Sequence, residues 1–511
     1  MSKTHDTTEK SATYSTGVDG PDESVVGYTQ AQIGPESTDD ELLAYIIDPA
    51  EKKALLRRLD SFIAPMVAIL YLISFRWSAY NVDRSNVSNA ATGGMLEDIN
   101  APSNGLSVAV SIFYATYVTF EPFWTTILKS VRPSILLPTV TVVWGGVVLG
   151  NGFITNYPSL IALRLVLGFL ESALTPCLFL ILTFFYVREE LALRTSYMFV
   201  SAATAGVVGG LIAAGLLKMD GLQGFAGWSW LYIVEGAITI AIGITSYFFI
   251  ADSPDTAWYL SPRQKLLTRV RKVQSKQFNG DESFSWAEVR KAFSEPLIWI
   301  SGAMQLGFDV TLYGASTFFV VIVRGLGYSV INSQLLTAPI YAWAAIVYMS
   351  CAYVADKKDV RFWLILPTCL VTCVGYIILI AVKESNGAKL FACFLVATGV
   401  YTSVGLNVSW NSANIAGARK RSTGIGLQQL IGNCGGIVAG QIYRSQDKPY
   451  YRLGHAVSLA SMVWGICWML VYLYIVKSRN AKKMAMTEEE KEQQDRDGVT
   501  GDRHWSFQYV F

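Results

Sequence analysis

Arg164 and Glu171 lie inside one long apolar run, residues 160–186, LIALRLVLGFLESALTPCLFLILTFFY. The run is long enough to cross a bilayer as a helix. Seven residues apart, the two charges fall almost on one helix face, separated by about 10 Å along the axis at ~1.5 Å per residue. An ionised side chain facing lipid costs from ~3 to over ~10 kcal/mol, so this face must look into protein or water. Gly168, between the charges, admits close approach of a neighbouring helix, and Pro176 interrupts the backbone ladder a turn or so later. Such a span suits a solute pathway; the alternative is an internal ion-pair network that keeps helices in register. Arg164 is the candidate for contact with an anion, because a guanidinium offers a fixed two-point donor geometry.

Other polar groups fall at similar depth in apolar runs. Gln305 and Asp309 share one run. Asn407, Asn411 and Asn414, spaced four and three apart, share a helix face accompanied by Trp410. Gln428, Gln429 and Asn433 follow in a glycine-rich run. An amide stripe with an aromatic is a plausible lining for a polar solute, although amides also hold helices together, at about 0.6 kcal/mol each. Proton coupling needs a carboxylate that changes protonation as access alternates, and Glu171 and Asp309 are best situated by depth. Glu121 and Glu235 lie nearer helix ends and read as structural or gating groups. Two basic turns, with Lys129 and Arg132 in one and Asp356, Lys357 and Arg361 in the other, occupy matching places in the two halves of the sequence. They suit charge latches made in one conformation and broken in another, or reflect positive-inside topology alone.

Twelve apolar runs must position these residues. Residues 1–47 read as a disordered tail and 48–60 as an amphipathic lead-in, with Asp48 capping and Pro49 in the first turn. Residues 61–250 hold six spans, near 62–80, 105–128, 135–153, 160–186, 195–217 and 228–250. A hydrophilic central loop follows at 251–295. Residues 296–476 hold six more, near 297–323, 334–354, 362–382, 390–413, 423–443 and 453–476. The tail 477–511 is charged and reads as solvated. Six plus six around a central loop implies an internal duplication. The expected fold is therefore an all-α membrane protein of 12 transmembrane helices in two six-helix halves with disordered cytoplasmic tails. The lead-in, the central loop and the charged tail are rich in Lys and Arg, which puts both termini in the cytoplasm.

Composition bounds the function. The chain of 511 residues is 52% hydrophobic and 16% charged, too apolar for an ordinary soluble domain. A net charge of +2 argues against a nucleic-acid partner. The seven cysteines lie in apolar runs without metal-ligand spacing, so neither disulfides nor a metal site is indicated. Nucleophile elbows, Walker loops and dinucleotide turns are missing from the sequence. An enzyme is not expected, and no cofactor. Asn86 heads a glycosylation sequon on the predicted outer side, whereas the sequon at Asn407 falls inside a span.

Several segments resemble a known group. They are LYLISF with VDRSNVSNA, LSVAVSIFYATYVTFEP, LIALRLVLGFLESALTP, GWSWLYIVEGAITI, ADSPDTAWYLSP and WNSANIAGARKRSTGIGLQQLIGNCGGIVAGQIYRSQDKPYYRLGHA. With the six-plus-six layout, they are similar to the major facilitator superfamily and, within it, to the fungal allantoate permease group of the anion:cation symporters. The likeness covers most of residues 55–476. It implies a multi-pass membrane symporter that carries a small organic anion or vitamin-like carboxylate inward with protons; a monomer at the plasma membrane is expected. The chain departs from the pattern where Arg76 to Val82 (RWSAYNV) intervene before Asp83-Arg84. Arg164, Asn407, Trp410, Asn411, Asn414 and Gln305 would contact the solute, and Glu171 or Asp309 would take the proton. The alternatives are an exporter of an organic acid or fungal secondary metabolite and a transporter-like nutrient sensor. Against export, span five lacks a proline in its glycine motif; against a sensor, the tails are short.

Overall fold

A computed structural model describes residues 38–74, 90–127 except 92, 131–187, 190, scattered positions of 194–209, 211–279, 286–382, 385–416, 418–443, 447, 450–497 and 501–511. Among them the regular structure is entirely helical. Eight helices are long and apolar enough to cross a membrane. The remaining four expected spans fall on two helices with more polar residues, on a shorter apolar helix and on the partly described segment 194–216.

The amino-terminal half opens with α1 (Asp39–Ala44) and α2 (Pro49–Ser74). The expected lead-in and first span are one continuous helix, capped by Asp48, whose Oδ1 accepts from the Ala50 amide at 3.0 Å. The departure at Arg76–Val82, and Asn86, lie outside the described residues. Then come α3 (Met95–Asp98), α4 (Gly105–Ile127), α5 (Pro133–Asn151), α6 (Tyr157–Glu171), α7 (Leu174–Phe185) and α8 (Gly227–Phe249). The fourth span is thus two helices. The break falls at Ser172, the residue whose carbonyl the Pro176 ring would crowd four positions on. The central segment folds as α9 (Pro262–Asn279) and α10 (Trp286–Phe293). The carboxy-terminal half comprises α11 (Pro296–Gly325), α12 (Val330–Lys358), α13 (Arg361–Ala381), α14 (Asn386–Ala413), α15 (Ala418–Ile442) and α16 (Arg452–Met484), followed by α17 (Glu488–Arg496).

Two expectations of disorder are corrected. Residues 38–47 dock on α9: Leu42 buries against Val270, and Gln274 Nε2 donates to the carbonyls of Leu42 and Tyr45 at 3.2 and 2.6 Å. Residues 501–511 fold back under the carboxy-terminal half rather than staying solvated, and Tyr509 is 4% exposed. A buried charge cluster pins them. Lys420 Nζ reaches Glu295 at 2.9 Å and Asp502 at 2.7 Å, and Arg479 reaches Glu295 at 2.8 Å. Burial pushes the Glu295 carboxyl up, but the bond and charge of Lys420, with the charge of Arg479, outweigh it and hold it below the usual carboxylate range. A depressed carboxylate stabilises fully above its unfolded pKa, about 4.3, and loses that contribution as pH falls through the folded value. Tyr472, Tyr509 and Asp502 also face this cluster. Acidification below about pH 4 is expected to expose residues 501–511 to an acid-stable protease; a cleavage rate no faster at pH 3 than at pH 5, after correction for protease activity, would contradict this.

In the amino-terminal half Arg194 holds Asp60 through two bonds, at 3.0 and 2.6 Å, and Arg271 of α9 in the central segment pairs with Glu190. Glu190 and Arg271 are 8% and 4% exposed. Removing one member of a buried pair leaves an uncompensated charge and costs about 3–5 kcal/mol. Glu190→Leu should therefore lower the thermal midpoint by several degrees, read by unfolding in detergent, whereas Glu492→Leu, an exposed partner of Arg496, should leave it unchanged.

Candidate functional site

The amino-terminal half carries a buried cation. On α6, Leu160, Arg164, Leu167, Gly168 and Glu171 share the inward stripe, while Leu165 and Val166 point outward. Arg164 is 1% exposed and its Nη2 donates to Tyr232 Oη at 3.2 Å. Tyr232 and Glu235, three residues apart, share a face of α8, and Glu171 and Glu235 are both buried. Gly168 lets α6 meet α4: a Cβ there would lie against the Phe113 carbonyl and Thr116.

In the carboxy-terminal half, α11, α14 and α15 bring their amides into one network. Asn407 Nδ2 donates to Gln305 Oε1 at 2.7 Å, and Gln428 Nε2 donates to the same oxygen at 3.3 Å. Asn411 Nδ2 donates to Gln428 Oε1 at 2.8 Å. Gln305 Nε2 reaches both oxygens of Asp309 at 3.3 Å, and Ser301 Oγ donates to Asn407 Oδ1 at 3.2 Å. Asn411 Oδ1 is buried and has no hydrogen-bond partner among the described residues. Tyr71 of α2 lies within electrostatic reach of Asp309, Tyr117 and Tyr348, so the halves face each other across this centre.

The halves meet along a seam between α4 and α15. Gln441 Nε2 donates to Ser111 Oγ at 2.7 Å, and Ser111 Oγ donates to the Ile437 carbonyl at 3.2 Å. Gly436 packs beneath the Tyr114 ring and Gly440 beside Ser111. Further along, Asn433 Nδ2 donates to Glu121 Oε2 at 3.1 Å and Asn433 Oδ1 accepts from Tyr313 Oη at 2.6 Å. Glu121 therefore joins the halves.

The structure separates the expected amide stripe. Asn407 and Asn411 join Gln305, but Asn414 ends α14 and, with Trp410, bonds to residue 510. Arg132 is exposed at the start of α5, and Lys357 is exposed over the Tyr353 ring at 4.4 Å. Arg361 is buried, with Asp359 at 3.0 Å and Ser409 Oγ at 3.3 Å. Lys129 and the Asp356 side chain lie outside the described residues. Sequence reasoning missed Tyr232, Tyr313 and Tyr71, whose hydroxyls are indistinguishable from core aromatics in a chain with 26 tyrosines. It put Gln428 and Asn433 at membrane depth, and their glycine-rich surroundings were the signal that a close seam would bring them inward.

Residues 66–440 match the Major Facilitator Superfamily. An uncharacterized transporter of Schizosaccharomyces pombe is 39% identical over 434 residues, covering 85% of each chain. The high-affinity nicotinic acid transporter of Saccharomyces cerevisiae is 32% identical over 458 residues, covering 90% of this chain and 84% of that one. Among solved structures, a bacterial homologue of the human lysosomal transporter Spinster, in an inward-facing and occupied conformation, superposes with a TM-score of 0.62 at 15% identity, covering 81% of this chain and 96% of that chain. Two six-helix halves, apolar helices with a buried polar centre, and these likenesses agree: the chain is a multi-pass membrane transporter, not an enzyme, and it belongs to the Major Facilitator Superfamily.

Proposed function

We propose that the protein is a proton-coupled importer of a small carboxylate-bearing solute, of the class that includes nicotinate, allantoate and pantothenate. It works by alternating access at the plasma membrane as a monomer with both termini in the cytoplasm. The observation that carries this reading is the guanidinium of Arg164, buried on the inward stripe of α6 opposite the Tyr232 hydroxyl. A cation withdrawn from water in an apolar span suits an anionic cargo, and the relative named for nicotinic acid supports the class.

In this reading Arg164 takes the carboxylate, and Gln305, Asn407 and Asn411 take the polar remainder of the solute. Asp309 carries the proton with Glu171. An ionised Asp309 accepts from Gln305 Nε2, which leaves Gln305 Oε1 facing Asn407 and Gln428. A proton on Asp309 removes the charge assistance from that bond and frees the Gln305 amide to turn toward the solute. Protonation and solute contact are thereby linked through one side chain. With the termini inside, the Ser111 end of the closed seam lies toward the outer side and Glu121 lies toward the cytoplasmic end of α4. Trp410 and Asn414 act on the site only through their helix.

Uptake of labelled nicotinate, allantoate and pantothenate in a transporter-depleted fungal host tests the proposal. One of them is expected to accumulate, faster at acidic than at neutral external pH. Uptake insensitive to pH and to protonophores would refute the coupling, and surface protein with no uptake of any of the three would refute the solute class.

A further inference from the structure

The segment 501–511 is held by bonds aimed at its backbone. Asn480 of α16 clasps Tyr509 at both peptide groups: its Nδ2 donates to the Tyr509 carbonyl at 2.8 Å, and its Oδ1 accepts from the Tyr509 amide at 3.0 Å. Asn414 of α14 treats Val510 in the same way, at 3.1 and 2.7 Å. Trp410 Nε1 adds a donor to the Val510 carbonyl at 2.8 Å. Lys483 Nζ donates to the carbonyls of Asp502 and Phe507, each at 2.7 Å, and the Asp502 carboxylate reaches buried Lys420. Two successive residues, Tyr509 and Val510, are thus each read by a side-chain amide, one from α16 and one at the end of α14. Such paired donor–acceptor recognition is how a peptide is bound in a groove.

The attachment points lie on the helix that carries the site. Asn414 ends α14, and its amide donates to the carbonyls of Trp410 and Asn411. Asn411 is three residues back and Asn407 seven, so both stand on the face that Asn414 anchors. A helix's last turn frays unless its orphan carbonyls and its capping residue are held. Here Val510 holds Asn414 at both of its peptide groups, and Tyr472 Oη of α16 accepts from the same Asn414 Nδ2 at 3.3 Å. Among the described residues the Asn411 side chain has one bond into the network, to Gln428.

We propose that residues 501–511 are a built-in peptide ligand that positions the polar site: docked, they fix the last turns of α14 and hold Asn407 and Asn411 in register with Gln305 and Gln428. Tyr509, Val510, Asn480 and Asn414 are positioning residues in this scheme and do not touch the solute. Among the described residues the strap bonds to α14, α15, α16 and α17, so it stiffens the carboxy-terminal half.

The effect on solute affinity rests on the proposed transport function; the effect on α14 does not, so the two are measured separately. Full-length protein, Asn480→Leu and a chain lacking residues 505–511 are compared by hydrogen exchange in detergent. Exchange over residues 403–414 is expected to quicken at least ~10-fold in both variants, and a synthetic peptide of residues 501–511 is expected to restore protection to the truncated chain. In uptake assays Asn480→Leu should raise KM several-fold with a smaller change in kcat, as for a change in ground-state positioning. Should truncation prevent folding, Asn480→Leu alone decides the exchange experiment. Unchanged exchange over residues 403–414 in a monodisperse Asn480→Leu protein would overturn the proposal, as would faster exchange that leaves KM untouched for a solute that is transported. If no solute is transported, the exchange and peptide results still decide whether the strap holds α14, and the transport reading fails by itself.

Discussion

Arg164→Ala is expected to abolish saturable uptake while leaving the protein at the cell surface. Arg164 is 1% exposed, so nothing in solvent can replace its charge. Truncating one partner of a buried, hydrogen-bonded charge pair costs about 2–5 kcal/mol, which at ~1.4 kcal/mol per decade is a loss of about 30- to several thousand-fold. Arg164→Lys keeps the charge but loses the planar fork, so it should recover only part of the rate. Tyr232→Phe removes a single neutral hydroxyl that accepts from Arg164 at 3.2 Å and should cost a few-fold. This order, Ala worst, then Lys, then Tyr232→Phe, is read from initial rates at equal surface level. Equal rates for Arg164→Ala and wild type would remove Arg164 from the solute path.

Gly436→Val is expected to have the second largest effect, by a different route. A Cβ on Gly436 would fall on the Tyr114 ring of the facing helix, in the middle of the seam between the halves. Inserting bulk into a close-packed contact costs about 1–3 kcal/mol, and a state disfavoured by ~1.4 kcal/mol loses tenfold in population. The seam as seen here would then be populated about ten- to a hundredfold less, and turnover should fall with it. Tyr114→Ala in the same chain removes the obstruction and should restore much of the rate, a coupling that a double-mutant cycle reads directly. Gly426 on the same helix has open space where a Cβ would sit, so Gly426→Ala should be silent. A Gly436→Val phenotype that Tyr114→Ala does not relieve would mean that the seam is not what the substitution disturbs.

Much of the helical layout was legible because eight spans combine length with apolarity, and the charges inside the fourth span announced a buried face. That face is where α6 carries Arg164, Gly168 and Glu171. The bend in the fourth span was legible from Pro176, whose ring acts on the residue four places earlier, so α6 stops at Glu171. Periodicity alone could not locate the seam. The pairing of Gly436 with Tyr114 joins residues more than 300 positions apart, and no local pattern encodes which helix a glycine will meet. Asn407, Asn411 and Asn414 do share a helix face, but their partners split them, because α14 stops at Ala413 and residue 510 returns to Asn414. The acidic run TEEEKEQQDRD led to a reading of the whole tail as solvated. The signal against it follows that run: Trp505, Phe507, Tyr509 and Phe511 alternate with other residues at the period of an extended strand with one apolar side.

The central claim is that one solute anion and a proton cross together through the centre that contains Arg164 and Asp309. It is tested most directly in proteoliposomes of purified protein, with an inward gradient of nicotinate, allantoate or pantothenate imposed at equal pH on both sides and the external pH followed. The account predicts that one of these solutes makes the medium more alkaline as it enters, that protein-free vesicles do not, and that both solute entry and proton movement vanish in Arg164→Ala. Solute entry through the wild-type protein with no accompanying proton movement would contradict it.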